Sequence, residues 1–368
     1  MTITRVWRYP RRRLRSTLSD ALDLNDARKR YHFAFAPEDY DELPFYSALV
    51  AKFEDDELAL TLLAGVRVEQ RNPMLILATL QFAGLQGHPV LGPLYDALRH
   101  DSLEDPKGAA DRVVRVLHDT PEVVTRELWR STQTNEPGRS AVIQAVVSDL
   151  AGDSSSISVV EVGTSAGINL CFDQFPVRSR DDGNPLTLVC DDLTPLDRSR
   201  PLPHVHQRVG IDPHPLDLSN DDDRLWLKAC LWPEQRRRHE RFDAVVAARP
   251  TWPSATVLKG TVEERLDDAI SLCGDGALTV VFNTWVAFYL SSDQRHEYFS
   301  ELAGRCRDGN VAWISVESPL IAIPGVDVDE AAHHRAASQI VVTRPGSRSE
   351  RWGWCHAHGR WLERTTGS

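Results

Sequence analysis

The stretch Val159–Leu170, V-V-E-V-G-T-S-A-G-I-N-L, decides the fold. A β-branched apolar run leads to Glu161, and Gly163, Ser165 and Gly167 then stand at alternate positions. Small residues let a ligand approach the backbone over the carboxyl end of a strand, where a Cβ would block it. A helix starting behind the turn would offer free N–H groups. The reading is a strand, a glycine turn and a helix start that open a doubly wound α/β domain, with its ligand crevice at that turn.

Downstream of the turn, short β-branched runs alternate with helical ones. Strands are expected over 157–162, 186–190, 207–211, 256–258, 278–282 and 311–316, with a closing antiparallel pair at 339–343 and 351–356. Helices are expected over 224–232, 235–246, 262–272 and 293–305. That alternation predicts βαβ units and a mostly parallel sheet. Upstream the period is helical: 45–50, 57–63, 74–80, 111–118, 121–129 and 140–150 carry apolar residues at helical spacing, with Pro73 in a first-turn position. The expected organisation is a loose arginine-rich arm over 1–30, a helical N-terminal cap over 31–152 and the sheet domain over 153–368. The small polar segment Gly152–Ser156 joins the last two.

Composition narrows the function classes. The formal charge of −11 disfavours a phosphate backbone as partner. No apolar run approaches the ~18 residues of a membrane span, and no signal peptide follows Arg11, Arg12 and Arg13. The six cysteines form no C-x-x-C pair and read as reduced, mostly buried thiols. The expectation is a soluble cytoplasmic protein acting on a small molecule, with no nucleic-acid or membrane partner. His204, His206 and His214 lie close to Asp212 in sequence, but no H-E-x-x-H spacing occurs and no metal is expected. His333 and His334 read as an exposed loop.

The turn admits three readings. Acid-x-G-x-S-x-G resembles the first motif of S-adenosylmethionine-dependent methyltransferases, E/D-x-G-x-G-x-G, with Ser165 in place of the middle glycine. The resemblance implies S-adenosylmethionine as cofactor, held by Glu161, Gly163, Ser165, Gly167 and Asn169. It also implies an acid for the ribose hydroxyls at the end of the second core strand. Asp212, closing V-G-I-D, supplies one, unless it is only a turn residue before Pro213; Asp191 and Asp192 are alternatives. Thr261 and Glu263 stand where that family contacts adenine. Asn283, after the fourth strand, either meets substrate or caps the next helix. The same five residues also fit G-x-S-x-G, a serine-hydrolase elbow with Ser165 as nucleophile and His356 or His358 as base. Against that, the region upstream reads as helical, with no strands or oxyanion loop. The third reading is a structural turn in a non-catalytic binding protein of this fold.

Further polar strings are Q-R-N-P at 70–73, Q-T-N-E with Arg139 at 133–139, W-P-E-Q at 232–235 and H-A-H-G-R-W at 356–361. In their order, with the glycine turn and V-G-I-D-P-H-P-L-D, they resemble the 2332 family of bacterial domains of unknown function. The resemblance runs from Tyr31 to Glu363 and implies a methyltransferase-like fold. Glu136 and Arg139, three apart, share a helix face and can pair. Together with Gln133 and Asn135 they form either a lid over the crevice that contacts substrate or a helix cap with a surface ion pair. Glu234 and Gln235 are further substrate-contact candidates. His356 and His358, two apart on an expected strand, share a face, and with Glu136 they are the candidate bases for a protonated acceptor.

Overall fold

The computed structural model describes residues 23–34, 42–67, 70–152, 154–196, 198, 201–274, 276–329 and 337–365. His333, His334 and Arg11 to Arg13 lie outside them. The first part of the chain is helical: α1 (Leu24–His32), α2 (Pro44–Phe53), α3 (Glu57–Ala64), α4 (Pro73–Leu85), α5 (Leu91–Arg99), α6 (Pro106–Asp119), α7 (Glu122–Thr125) and α8 (Arg139–Ala151). Local chemistry sets the starts. The Asp56, Asn72 and Asp105 side chains accept from the first-turn N–H groups of α3, α4 and α6, and prolines open α4 and α6. Gly152, at φ +53°, ends α8.

The rest alternates: β1 (Ser156–Val162), β2 (Val177–Arg178), β3 (Leu188–Val189), β4 (Asp191–Asp192), β5 (His204–Asp212), α9 (Asp221–Ala229), α10 (Arg236–Ala248), β6 (Thr256–Lys259), α11 (Val262–Cys273), β7 (Leu278–Thr284), α12 (Ser292–Asp308), β8 (Val311–Glu317), β9 (Ala337–Thr343), β10 (Glu350–His356) and β11 (Trp361–Arg364). The large sheet runs β6-β5-β1-β7-β8-β9-β10-β11-β4. Its β6, β5, β1, β7 and β8 are parallel, and β9, β10 and β11 close it antiparallel. The chain leaves β1 on one side for β5 and β6, then returns to its other side for β7. The border of β1 and β7 is therefore a topological switch point, where strand-end loops part to leave a crevice.

Strand alternation splits the core into two layers. Ile157, Val159 and Phe282 face α8 and α10, whereas Val160, Val162, Val281 and Trp313 face α11 and α12. Helices α1 to α6 bury a core of their own around Phe45, Phe53 and Tyr95. Helix α8, grouped by sequence with the helical part, packs on the sheet instead.

Four local expectations need correction. Residues 24–30 are not a loose arm but most of α1. Asp23 caps it, and Arg71 of the Q-R-N-P string reaches Asp26 at 3.2 Å. The expected helix at 121–129 stops at Thr125. The expected strand at 186–190 shrinks to β3, paired with β2 outside the main sheet. No regular α-helix follows the glycine turn: Asn169–Gln174 is a 3-10 stretch with a non-helical Cys171. The cause is tertiary. Arg208 grips Asp173 with two bonds of 2.7 Å, and Asn135 Oδ1 accepts the Ile168 N–H at 3.0 Å. No helix among the described residues is long and apolar enough to cross a membrane.

Candidate functional site

The turn after β1 is left-handed at every second residue: φ is +73° at Gly163, +53° at Ser165 and +70° at Gly167. A serine there carries strain of roughly 1–2 kcal/mol, which explains why glycine suits the position. Gly163 also has no room for a side chain, because a Cβ would sit 2.4 Å from Val286 Cγ2. Beneath the turn, Thr164 Oγ1 donates to Glu161 Oε2 at 2.7 Å, and Ser140 Oγ donates to Asn169 Oδ1 at 2.9 Å. Burial pushes the Glu161 carboxyl up to about 8, so it is protonated at neutral pH. Glu161 and Asn169 thus sit under the turn rather than facing a crevice.

Asp212 ends β5 beside the turn. Its Oδ2 accepts the Ser165 N–H and its Oδ1 the His214 N–H, each at 2.8 Å. Burial raises its pKa against those two bonds. Asp191 and Asp192, the alternatives, lie exposed in β4 at the far edge of the sheet.

Residues 131–136 run over the turn as a strap and alternate like a strand. Gln133 accepts from Ser165 Oγ and donates to the His214 carbonyl at 2.8 Å, and Asn135 takes Ile168 N–H. Thr132 and Thr134 line the opposite side, a cleft of about 100 Å³. The strap therefore separates the turn from this cleft. Ser165 Oγ donates to Gln133, and neither His356 nor His358 is among its hydrogen-bond partners.

At the strap's end Glu136 is buried, accepting Arg238 Nε at 2.7 Å and the Gly138 N–H at 3.0 Å, with Arg241 at 3.9 Å. Burial alone would raise its pKa; the guanidinium charges outweigh that and hold it at about 2. It does not pair with Arg139 as the spacing predicts. Arg139 donates instead to the carbonyls of Ala357 and Thr284, each at 3.1 Å. The last polar string meets the strap here, backbone on backbone. A Cβ on Gly138 would lie 2.1 Å from His358 O, and one on Gly359 would lie 2.0 Å from Gly138 O. Gly359 also has φ +70°. Gly359→Ala is expected to cost about 3 kcal/mol in urea denaturation, from the left-handed backbone and the overpacked contact together; an unchanged midpoint would refute the contact.

His356 ends β10, but His358 lies in the following turn, so the two share no strand face. The His358 N–H donates to His356 Nδ1 at 3.0 Å. Burial lowers His356 to about 4 and holds His358 well below the usual imidazole range, leaving both neutral and weakly basic. Asn283 is buried with every hydrogen-bonding position used: Tyr298 and Trp313 donate to its Oδ1, and its Nδ2 donates to Ser315 and Glu317. Glu234 caps α2, accepting Phe45 N–H at 2.6 Å and Tyr46 N–H at 3.0 Å, and burial raises it to about 7. Gln235 accepts from Arg238. Thr261 and Glu263 are exposed at the start of α11, where Thr261 forms a capping box with Glu264. Sequence reading missed Arg238, Arg241 and Glu317. The three arginines at 236–238 look like one solvated run, and only helix α10 turns the third inward.

The described cysteines are all free, five of them buried and Cys230 half-buried. No metal-ligating group of three or more side chains occurs among the described residues. The family described as "Uncharacterized protein conserved in bacteria (DUF2332)" matches residues 29–364. The chain belongs to this family. That span covers α2 to α12, the turn and the strap. No curated protein and no solved structure matches the chain.

Proposed function

We propose that this protein is an S-adenosylmethionine-binding enzyme of methyltransferase-like fold, with α1 to α6 as a cap, that methylates a small-molecule acceptor. One observation carries the reading: the acid ending the second parallel strand, Asp212, is bonded to the backbone of the glycine turn at 2.8 Å. Turn and acid meet at the carboxyl ends of β1 and β5, next to the switch point between β1 and β7, which is where a nucleoside would lie.

The donor set fits the cofactor in its chemistry. Ribose hydroxyls need acceptors, and each Asp212 oxygen receives a single N–H in the structure, which leaves a lone pair on each. The N–H groups of Gly163, Ser165 and Gly167 are taken by Ile211 O, Asp212 Oδ2 and Thr164 O, so the turn would offer the methionine end close approach at Ser165 and Gly167 rather than free donors. Thr261 and Glu263 are the adenine-side candidates at the end of β6. When bound, S-adenosylmethionine supplies a methyl group on a sulfonium, open to in-line attack. The protein's share is to align the acceptor and exclude water. Gln133 and Asn135 of the strap cover the turn, so the acceptor would meet the methyl group on the turn's side of the strap and not in the cleft beyond it. Because Glu136 is held ionised by arginines and His356 by burial is a weak base, the reading favours an acceptor that needs no strong base.

Gln133 must release Ser165 for a nucleoside to lie on the turn. Titration calorimetry with S-adenosylhomocysteine tests the reading. Binding is expected in the wild type, weakened at least tenfold in Asp212→Ala. It should be tightened roughly 2–10-fold in Gln133→Ala, which no longer has that hydrogen bond to break. Absence of binding at about millimolar ligand, weaker than any functional site of this size, sinks the cofactor reading.

A further inference from the structure

We infer that the cleft between the strap, α4 and α10 is a binding site for a small monocarboxylate with an apolar body. Arg238 lines this cleft with only 9% of its side chain exposed. Its Nε is held by Glu136 and its Nη1 by Gln235, each at 2.7 Å. Its Nη2 is buried and has no partner among the described residues. A guanidinium donates through all its nitrogens, and an unmade bond to a buried charged group is costly. This nitrogen is covered in the structure, and a ligand seated against Arg238 in the cleft would give it its missing acceptor once the side chains over it shift.

Charge balance gives the acceptor's sign. Arg139, Arg238 and Arg241 are gathered around two buried carboxylates, Glu136 and Glu317. One positive charge is left over even with both acids ionised, because burial keeps Glu161, the third acid near Arg139, protonated at neutral pH. Buried charges are normally paired, so the site lacks one negative charge. A monoanion restores the balance, whereas a phosphate monoester near −2 would overshoot it. The rest of the lining sets the body. Met74, Leu77 and Trp232 are apolar or aromatic, and Thr132 and Thr134 present hydroxyls from the strap. This arrangement suits a carboxylate head on Arg238 and a hydrophobic tail against α4.

The carboxylate site is independent of the cofactor reading, since the strap separates this cleft from the turn. The test is thermal denaturation of the full chain with acetate, hexanoate, benzoate and phenylacetate, against benzamide and phenyl phosphate. At about 20-fold excess over Kd, at least one of the larger carboxylates is expected to raise Tm by about 3 °C, and benzamide is expected to raise it by much less. Arg238→Lys keeps a cation beside Glu136 but removes Nη2, and it is expected to abolish the difference between benzoate and benzamide. Thr134→Val, which leaves the ion pairs intact, is expected to reduce it. No shift with any carboxylate overturns the inference. So does an equal shift with benzamide, a shift with phenyl phosphate alone, or an undiminished carboxylate shift in a folded Arg238→Lys. None of these results depends on S-adenosylhomocysteine, whose titration fails or succeeds separately.

Discussion

Glu136→Gln is expected to destabilise the protein by about 3–5 kcal/mol, the cost of leaving buried charges without their partner. The substitution preserves shape and keeps an acceptor for the Gly138 N–H, so the loss isolates the charge. In the wild type the carboxylate is 1% exposed and lies 2.7 Å from Arg238. Without it, Arg238 and Arg241 stay charged in a buried site. Urea denaturation of the single variant and of Glu136→Gln/Arg238→Met checks the cause. The double variant should recover much of the loss, because removing both ions also removes the desolvation penalty. Additive losses would show that the pair is not the source. The sign with pH comes from the same geometry. The folded pKa is depressed to about 2 from 4.5, so this contribution is fully present above pH 4.5 and is lost as pH falls toward 2. The result also bears on chemistry, since a carboxylate this committed to arginines is a poor proton acceptor.

Glu161 runs the opposite way. Its folded pKa is raised from 4.5 to about 8, chiefly by burial. Between those values the unfolded chain gives up a proton that the native state keeps, so unfolding becomes easier as pH rises. The stability is present in full below pH 4.5 and is lost progressively up to about pH 8, a range worth about 4–5 kcal/mol at most. Glu161→Gln keeps an acceptor for Thr164 and cannot ionise. Relative to the wild type it should gain stability steadily from pH 5 to pH 8, read as the difference between two series of urea midpoints. Comparing the two proteins cancels the slope from Glu234, which burial raises to about 7. A pH-independent difference would mean that Glu161 is ionised in the native state.

Residues that act through their neighbours in sequence were legible in the sequence. The β1 run, the turn and the strand-end acid are local patterns, and β1, β5, β6, β7 and β8 fall within a few residues of where alternation puts them. Asp212 could be singled out because a strand's end and an acid are adjacent in the chain. Glu161 and Asn169 show the limit. They occupy motif positions, yet fold under the turn, because Ser140 and Thr164 hold them there. Likewise the spacing of Glu136 and Arg139 predicts a pair. In the fold each finds a partner more than a hundred residues away, Arg238 for one and Ala357 for the other.

The stretch Val159–Leu170 by itself determined a strand running into a turn that needs left-handed backbone, since period and glycine spacing are properties of neighbouring residues. It did not determine the conformation of the chain beyond the turn. A helix is the local default there, and the strap's Asn135 and the Arg208–Asp173 pair override it with a short 3-10 stretch. Only the tertiary structure decided that the turn is covered, that Gly138 and Gly359 meet backbone to backbone, and that a buried arginine faces an inter-helical cleft with a nitrogen to spare. Each of these depends on distances between residues far apart in the chain, set by how the helices seat on the sheet, and no local pattern encodes them.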